Sequence, residues 1–208
     1  MNKSVITIAR GYGSGGRTIG QMLAKKLDIP FYDRELLYMA SEDSGINIDL
    51  FGKMDETVRR GLFSPFSQKY EGELIPPESN DFVSDKNLFN YQAKTIKELA
   101  DKGPCVIVGR CADFILKDFA NVIRVFVWAP YEDCVKNAMD VTLVSEKEAR
   151  RRIREIDAHR NAFYRFYTGS NWDDIHNYDL CMNSSTLGFE KSVELIISYM
   201  GLSCDARG

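Results

Sequence analysis

At 208 residues with 44% apolar content, the chain is long enough to bury roughly 70% of the surface its unfolded form exposes, so one sizeable core in a single domain is expected. Its 27 basic and 30 acidic residues leave a formal net charge of −3, which offers no global attraction for nucleic acid or an anionic membrane. The five cysteines (Cys105, Cys111, Cys134, Cys181 and Cys204) form no Cys-x-x-Cys pair, and His159 and His176 stand apart from them. A disulfide framework and a His/Cys metal centre are therefore not expected. With no signal-peptide core and no run near the ~18 apolar residues of a membrane span, a soluble, cytoplasmic protein is expected.

The first element is the apolar run over residues 5–9, a strand, followed by Gly11-Tyr12-Gly13-Ser14-Gly15-Gly16-Arg17-Thr18. Ile19, Met22, Leu23 and Leu27 then recur at helical spacing, which predicts a helix over 16–28. Strand, glycine loop and helix in that order are the setting of a phosphate-binding loop: glycines let backbone N–H groups curl around phosphate oxygens, and the helix N-terminus adds positive potential. Arg17 stands where lysine is usual, and the Thr18 hydroxyl is the candidate magnesium ligand. Gly11, Gly13 and Gly16 also fit a dinucleotide fingerprint, with Asp33 about 20 residues further on as its acid.

Further strands are expected over 29–32, 105–108, 122–128 and 178–182, and helices over 34–44, 86–101, 131–142, 146–166 and 189–200. The alternation predicts a parallel sheet covered on both faces, with ligands beyond the C-terminal strand ends. Residues 45–85 break it with glycines, a Pro76-Pro77 pair and scattered aromatics, which suits an insertion holding a short helix at about 48–60 and a loop.

The charged side chains fall near these strand ends. Asp33, Arg34 and Glu35 close the second strand, with Asp33 a holder of a magnesium-bound water or a substrate hydroxyl, or else the N-cap of the next helix. Gly109-Arg110 closes the third. Arg150, Arg154 and Asp157 share one helical face, and Arg160 and Arg165 extend the basic series. Hydride transfer has no special use for several arginines, whereas phosphoryl transfer does, because guanidinium groups stabilise the charge in transit. The plainer reading of this helix is a solvated face of Glu–Arg pairs such as Glu148 with Arg152. Phe163, Tyr164, Phe166, Tyr167 and Trp172 are either a lid's packing face or a cover for ligand.

With these motifs together, the chain resembles the cytidylate-kinase-like branch of the P-loop nucleoside monophosphate kinases over most of its length. The resemblance lies in the glycine loop, Phe31-Tyr32-Asp33-Arg34-Glu35-Leu36-Leu37, Val108-Gly109-Arg110, the stretch from Arg154 to Arg160, and that from Tyr178 to Asn183. It implies an α/β three-layer fold on five parallel strands, a substrate-binding insertion at about 41–90 and a lid at about 144–170. It also implies ATP and Mg2+ as cofactors, and a nucleotide and a small-molecule phosphate acceptor as partners. Residues Gly11 to Thr18 would hold ATP. Arg17, Arg154 and Arg160 would be catalytic, and Asp33, Arg34, Arg110 and Asp157 would bind the acceptor, possibly CMP. Three positions depart from the family pattern: Arg17 for lysine, Met39 for an arginine, which would leave Arg34, Arg59 or Arg60 to compensate, and Cys111 after Gly109-Arg110 for aspartate. These departures keep open a nucleotide-binding sensor without efficient transfer, and the glycine spacing keeps open a dinucleotide-dependent oxidoreductase.

Overall fold

The run Val5–Arg10 folds as the central strand, β1: five of its six residues are buried, and a strand covered on both faces reads as a nearly continuous apolar run. In the computed structural model, which describes residues 4–53, 70 and 72–205, β1 pairs with β3 (Val106–Val108) on one side and with β4 (Val122–Trp128) on the other. The short β2 (Phe31–Tyr32) lies outside β3, and β5 (Leu180–Asn183) outside β4. All pairs are parallel, in the order β2-β3-β1-β4-β5.

The order removes one reading of the glycines. A dinucleotide fingerprint sets the strand after the first helix beside the first strand, so that its terminal acid meets the ribose. Here β3 separates β2 from β1.

Alternate residues of each strand feed two cores. Ile6, Ile8, Val106, Val108, Ile123 and Val125 pack with Ile19 and Leu23 of α1 (Gly16–Leu27) and with Val193, Ile196 and Met200 of the C-terminal helix. Val5, Ile107 and Val122 pack on the opposite face with α2 (Glu35–Ser44) and α3 (Asp85–Lys102). α4 (Ala112–Ile115) and α5 (Tyr131–Thr142) follow β3 and β4, and α6 (Glu146–Thr168) crosses above the strand ends before β5. α7 (Ser184–Leu187) and the C-terminal helix α8 (Phe189–Asp205) complete the chain. Among the described residues no helix is long and apolar enough to cross a membrane.

The expected insertion is described only in part. Residues 48–53 are helical up to the edge of the described region, and Arg59 and Arg60 lie outside it. The returning segment is pinned to α3 by the buried Asn87, which accepts from the Ile75 N–H at 2.8 Å and donates to the Ile75 and Phe82 carbonyls at 3.1 and 2.7 Å.

The aromatic half of α6 is anchored on α3. Phe89, 1% exposed, stacks on Tyr167 with ring centroids 3.9 Å apart and tilts against Phe163. We predict that Phe89→Leu, which keeps an apolar side chain but removes the ring stack, destabilises the protein by about 1–2 kcal/mol. Equilibrium urea unfolding measures it, and an unchanged midpoint and slope would show that α6 does not depend on this contact.

Candidate active site

β1 ends at Arg10, and the chain turns through Gly11 to Gly15 into α1. Gly13 and Gly15 have φ of 83° and 77°, a region L side chains rarely adopt. A Cβ at Gly13 would stand 2.9 Å from the backbone C and Cα of Cys134, one at Gly15 would strike the Phe189 ring, and one at Gly16 would sit 2.5 Å from Arg10 Cβ. The loop is braced from behind. Ser14, fully buried, donates its hydroxyl to the Gly11 carbonyl at 2.9 Å, Asn137 donates to the Gly13 carbonyl at 2.9 Å, and Ser184 to that of Ser14 at 2.6 Å. α1 has neither a side-chain N-cap nor an acidic residue in its first turn. Its first N–H groups thus keep their positive potential for an anion.

The loop is one wall of a cavity of about 640 Å³, a size usual for small-molecule sites, to which α6, α5 and the ends of β2 and β3 also contribute. Arg17 and Thr18 line it from the exposed first turn of α1, with Asp33 and Arg34 from the end of β2. Asp33 is 5% exposed and does not cap α2, whose N-cap is Arg34 without a side-chain bond. Its Oδ2 instead accepts from Arg17 Nε at 2.7 Å, and its Oδ1 lies 3.8 Å from Arg10 Nη2.

Arg110 enters the cavity from a turn in which Gly109, Arg110 and Cys111 all have positive φ (77°, 59° and 54°). Two of them are not glycine, at a strain of about 1–2 kcal/mol each. Sustained strain of this kind is a common mark of a ligand contact. Two residues on, the buried Asp113 accepts from the Tyr164 hydroxyl at 2.6 Å, and burial pushes its carboxyl up to about 6.

α6 divides along its length. Its first half is a solvated ion-pair face: Arg150 binds Glu132 and Glu146, Arg151 binds Glu148 and Glu155, and Arg152 binds Glu148. Such pairs contribute little to stability. Its middle turns toward the loop. The Tyr12 N–H donates to Asp157 Oδ1 at 2.9 Å, while Arg160 Nη1 donates to the same oxygen at 3.0 Å and to the Arg10 carbonyl at 2.9 Å. Burial raises the Asp157 carboxyl against the pull of Arg160, and burial lowers Arg160 against the support of Asp157. The contact is thus a partly desolvated clasp of α6 on the phosphate loop.

Of the residues singled out from sequence, Gly11, Tyr12, Gly13, Gly15, Gly16, Arg17, Thr18, Asp33, Arg34, Arg110 and Arg160 line one cavity. Ser14 lies behind the loop, and Asp157 holds its backbone. Arg154 is exposed on α6 and is not among the lining residues, so a role for it requires α6 to move. The lining residues that were not singled out include Arg10, Asn137 and Asp113. Arg10 carries the clearest sequence signal, a charge closing an otherwise apolar strand one residue before the glycine loop.

A model of the cytidylate kinase-like family matches residues 5–186. A curated cytidylate kinase of Saccharolobus islandicus is 26% identical over 149 residues, which are 68% of this chain and 74% of that protein. Among solved structures, an uncharacterized protein from Eubacterium ventriosum shares 27% identity and a TM-score of 0.70, over 96% of this chain and 99% of that one. Shikimate kinase from Bacteroides thetaiotaomicron has a TM-score of 0.54 at 14% identity, over 95% and 98% of the two chains, and shares the fold alone.

Proposed function

The chain belongs to the cytidylate kinase-like family, and from that membership together with the arginine-lined cavity we propose that it transfers the terminal phosphoryl group of ATP to a phosphate oxygen of a nucleoside monophosphate, with CMP the leading acceptor. The observation that carries the proposal is the convergence of Arg10, Arg17, Arg110 and Arg160 on a glycine loop with an uncapped helix N-terminus. In this reading the amides from Gly13 to Thr18 cradle the donor's β-phosphate, Arg110 and Arg34 receive the acceptor's phosphate, and Asp33 and Asp157 position acceptor and loop. Arg160 faces the group in transit, and Arg17 joins it on release from Asp33. The relative named cytidylate kinase supports CMP, and Met39 and Cys111, which depart from the family pattern, make the acceptor the first thing to measure.

Magnesium would arrive with the donor's phosphates, and in this reading the hydroxyl of Thr18, an exposed residue in the first turn of α1, would ligate it. Among the described residues no three His, Cys, Asp or Glu side chains gather into a metal site. Phosphate oxygens and water would therefore supply most of the shell, as is ordinary for this ion. The step itself asks little of a base: an acceptor phosphate oxygen bonds to the γ-phosphorus, the bond to the β–γ bridging oxygen breaks, and ADP leaves. Positioning and charge neutralisation are what the cavity has to supply. α6 as a lid, and the segment at about 41–90 as the acceptor's cover, complete the proposal within one domain.

A panel of nucleoside monophosphates and small alcohols with ATP, followed by chromatography of products, tests this. We predict turnover with at least one pyrimidine monophosphate. No transfer to any acceptor, with no ATP binding by calorimetry, would overturn it. A second reading, nucleotide sensing without efficient transfer, draws on the Arg17–Asp33 ion pair, which engages the loop's cation with a carboxylate. It predicts ATP binding without turnover, and new activity in Arg17→Lys.

A further inference from the structure

We infer that Arg10, the last residue of β1, is a catalytic residue that binds the phosphoryl group in transit; this rests on the phosphoryl-transfer reading above. No motif marks it, but two separate elements are shaped around it. A Cβ at Gly109, at the end of β3, would collide with Arg10 Nη1. One at Gly16, in the first turn of α1, would stand 2.5 Å from Arg10 Cβ and 3.1 Å from its Cγ. Both glycines vacate the volume that the side chain occupies between the loop and the acceptor side of the cavity.

The guanidinium in that volume is only loosely matched. Its Nε is buried with no hydrogen-bond partner, and its closest carboxylate oxygen, Asp33 Oδ1, is 3.8 Å from Nη2. Arg160 and Arg110 press on it with like charge, while Asp33 and Asp157 only partly offset them. Burial and Arg160 together hold its pKa down to about 9. At neutral pH it is still a cation, in a place where an incoming anion, met by its outer guanidinium nitrogens, relieves the crowding of like charge. A planar fork of N–H donors suits the equatorial oxygens of a transferring phosphoryl group.

Arg17 does not fill this place. Its side chain is 54% exposed and bonded to Asp33, whereas that of Arg10 is 18% exposed, lines the cavity and has its nearest carboxylate oxygen 3.8 Å away. A fixed charge in a water-poor site stabilises developing charge more than an exposed one does.

The test uses the full chain as Arg10→Met and Arg10→Lys beside the wild type, each checked for cooperative unfolding. Turnover is measured with the best acceptor of the panel, and binding of a non-hydrolysable ATP analogue and of inorganic tripolyphosphate by calorimetry. We expect kcat to fall ~100-fold or more in Arg10→Met and ~10-fold or more in Arg10→Lys, with analogue affinity changed less than about fivefold. A folded Arg10→Lys or Arg10→Met with kcat within about threefold of wild type overturns the inference while the wild type's own turnover upholds the kinase reading. An inactive wild type overturns the kinase reading, and with it the catalytic role. Tripolyphosphate then decides what remains: affinity at least ~10-fold weaker in Arg10→Met keeps Arg10 as an anion ligand, and equal affinity removes it altogether.

Discussion

Arg160→Met lowers kcat for phosphoryl transfer by roughly 10³-fold, about 4 kcal/mol of barrier, while the protein still unfolds cooperatively. A single well-placed arginine contributes about 10³ to 10⁵ in related transfers, and the lower end applies because Arg10, Arg17 and Arg110 share the cavity. The side chain is 21% exposed, its Nη1 bonds the Arg10 carbonyl, and the guanidinium carbon lies 6.0 Å from the centre of the Tyr12 ring. Removing it also strips Asp157 of its partner beside the loop. The double variant Arg160→Met/Asp157→Asn separates the two effects. If Arg160 acts on the phosphoryl group, the double variant stays slow; if it only neutralises Asp157, activity returns. Arg151→Met, on the exposed ion-pair face of the same helix, keeps kcat within about twofold. Arg160→Met with less than a tenfold loss would take Arg160 out of the reaction.

The secondary structure was legible where patterns were strong and bounded. β4 runs Val122–Trp128 and α5 runs Tyr131–Thr142, as the apolar run and the Pro130 that follows it indicate. β2 is shorter than its apolar run because only Phe31 and Tyr32 face β3 in register. Its Pro30 carbonyl contributes one further bond, accepting from the Val106 N–H. The four-residue helices α4 and α7 left no periodic signal, being a single turn each. The glycine loop, Asp33, Arg110 and Arg160 were legible because strand ends and helix starts place them. Arg154 shows where pattern reading stops: six residues from Arg160, it lies about 120° around the helix from it, so the two do not share a face. The lining residues Ile156, His159, Arg160, Phe163 and Tyr164 follow the i, i+3, i+4 stripe that excludes it. Arg10 was hidden for another reason. Its parity with Ile6 and Ile8 is readable from the strand, but only Gly16 and Gly109 together reveal the space reserved for it.

The glycines of the loop look alike in sequence, and the structure ranks them. Gly13→Ala weakens ATP binding by roughly 10³-fold, since two charge-assisted amide–phosphate bonds of about 2 kcal/mol each are misplaced when the loop shifts. The new methyl meets the backbone of Cys134 in α5, which has no rotamer to turn, and φ at this position is 83°. Gly15→Ala meets the tip of the Phe189 side chain instead, so Gly15→Ala/Phe189→Ala recovers part of the loss that Gly15→Ala causes. No such partner truncation relieves Gly13. Gly11→Ala is the mildest of the three, because its methyl finds only ordinary contacts at 3.8 Å to Ser14 Cβ and 3.9 Å to Asp157 Oδ2. Calorimetry with ATP across the four variants checks the order. If Gly11→Ala and Gly13→Ala lose affinity equally, the loop does not bind phosphate in the conformation described, and the clasp of Asp157 on the Tyr12 amide would have to open and reshape it first.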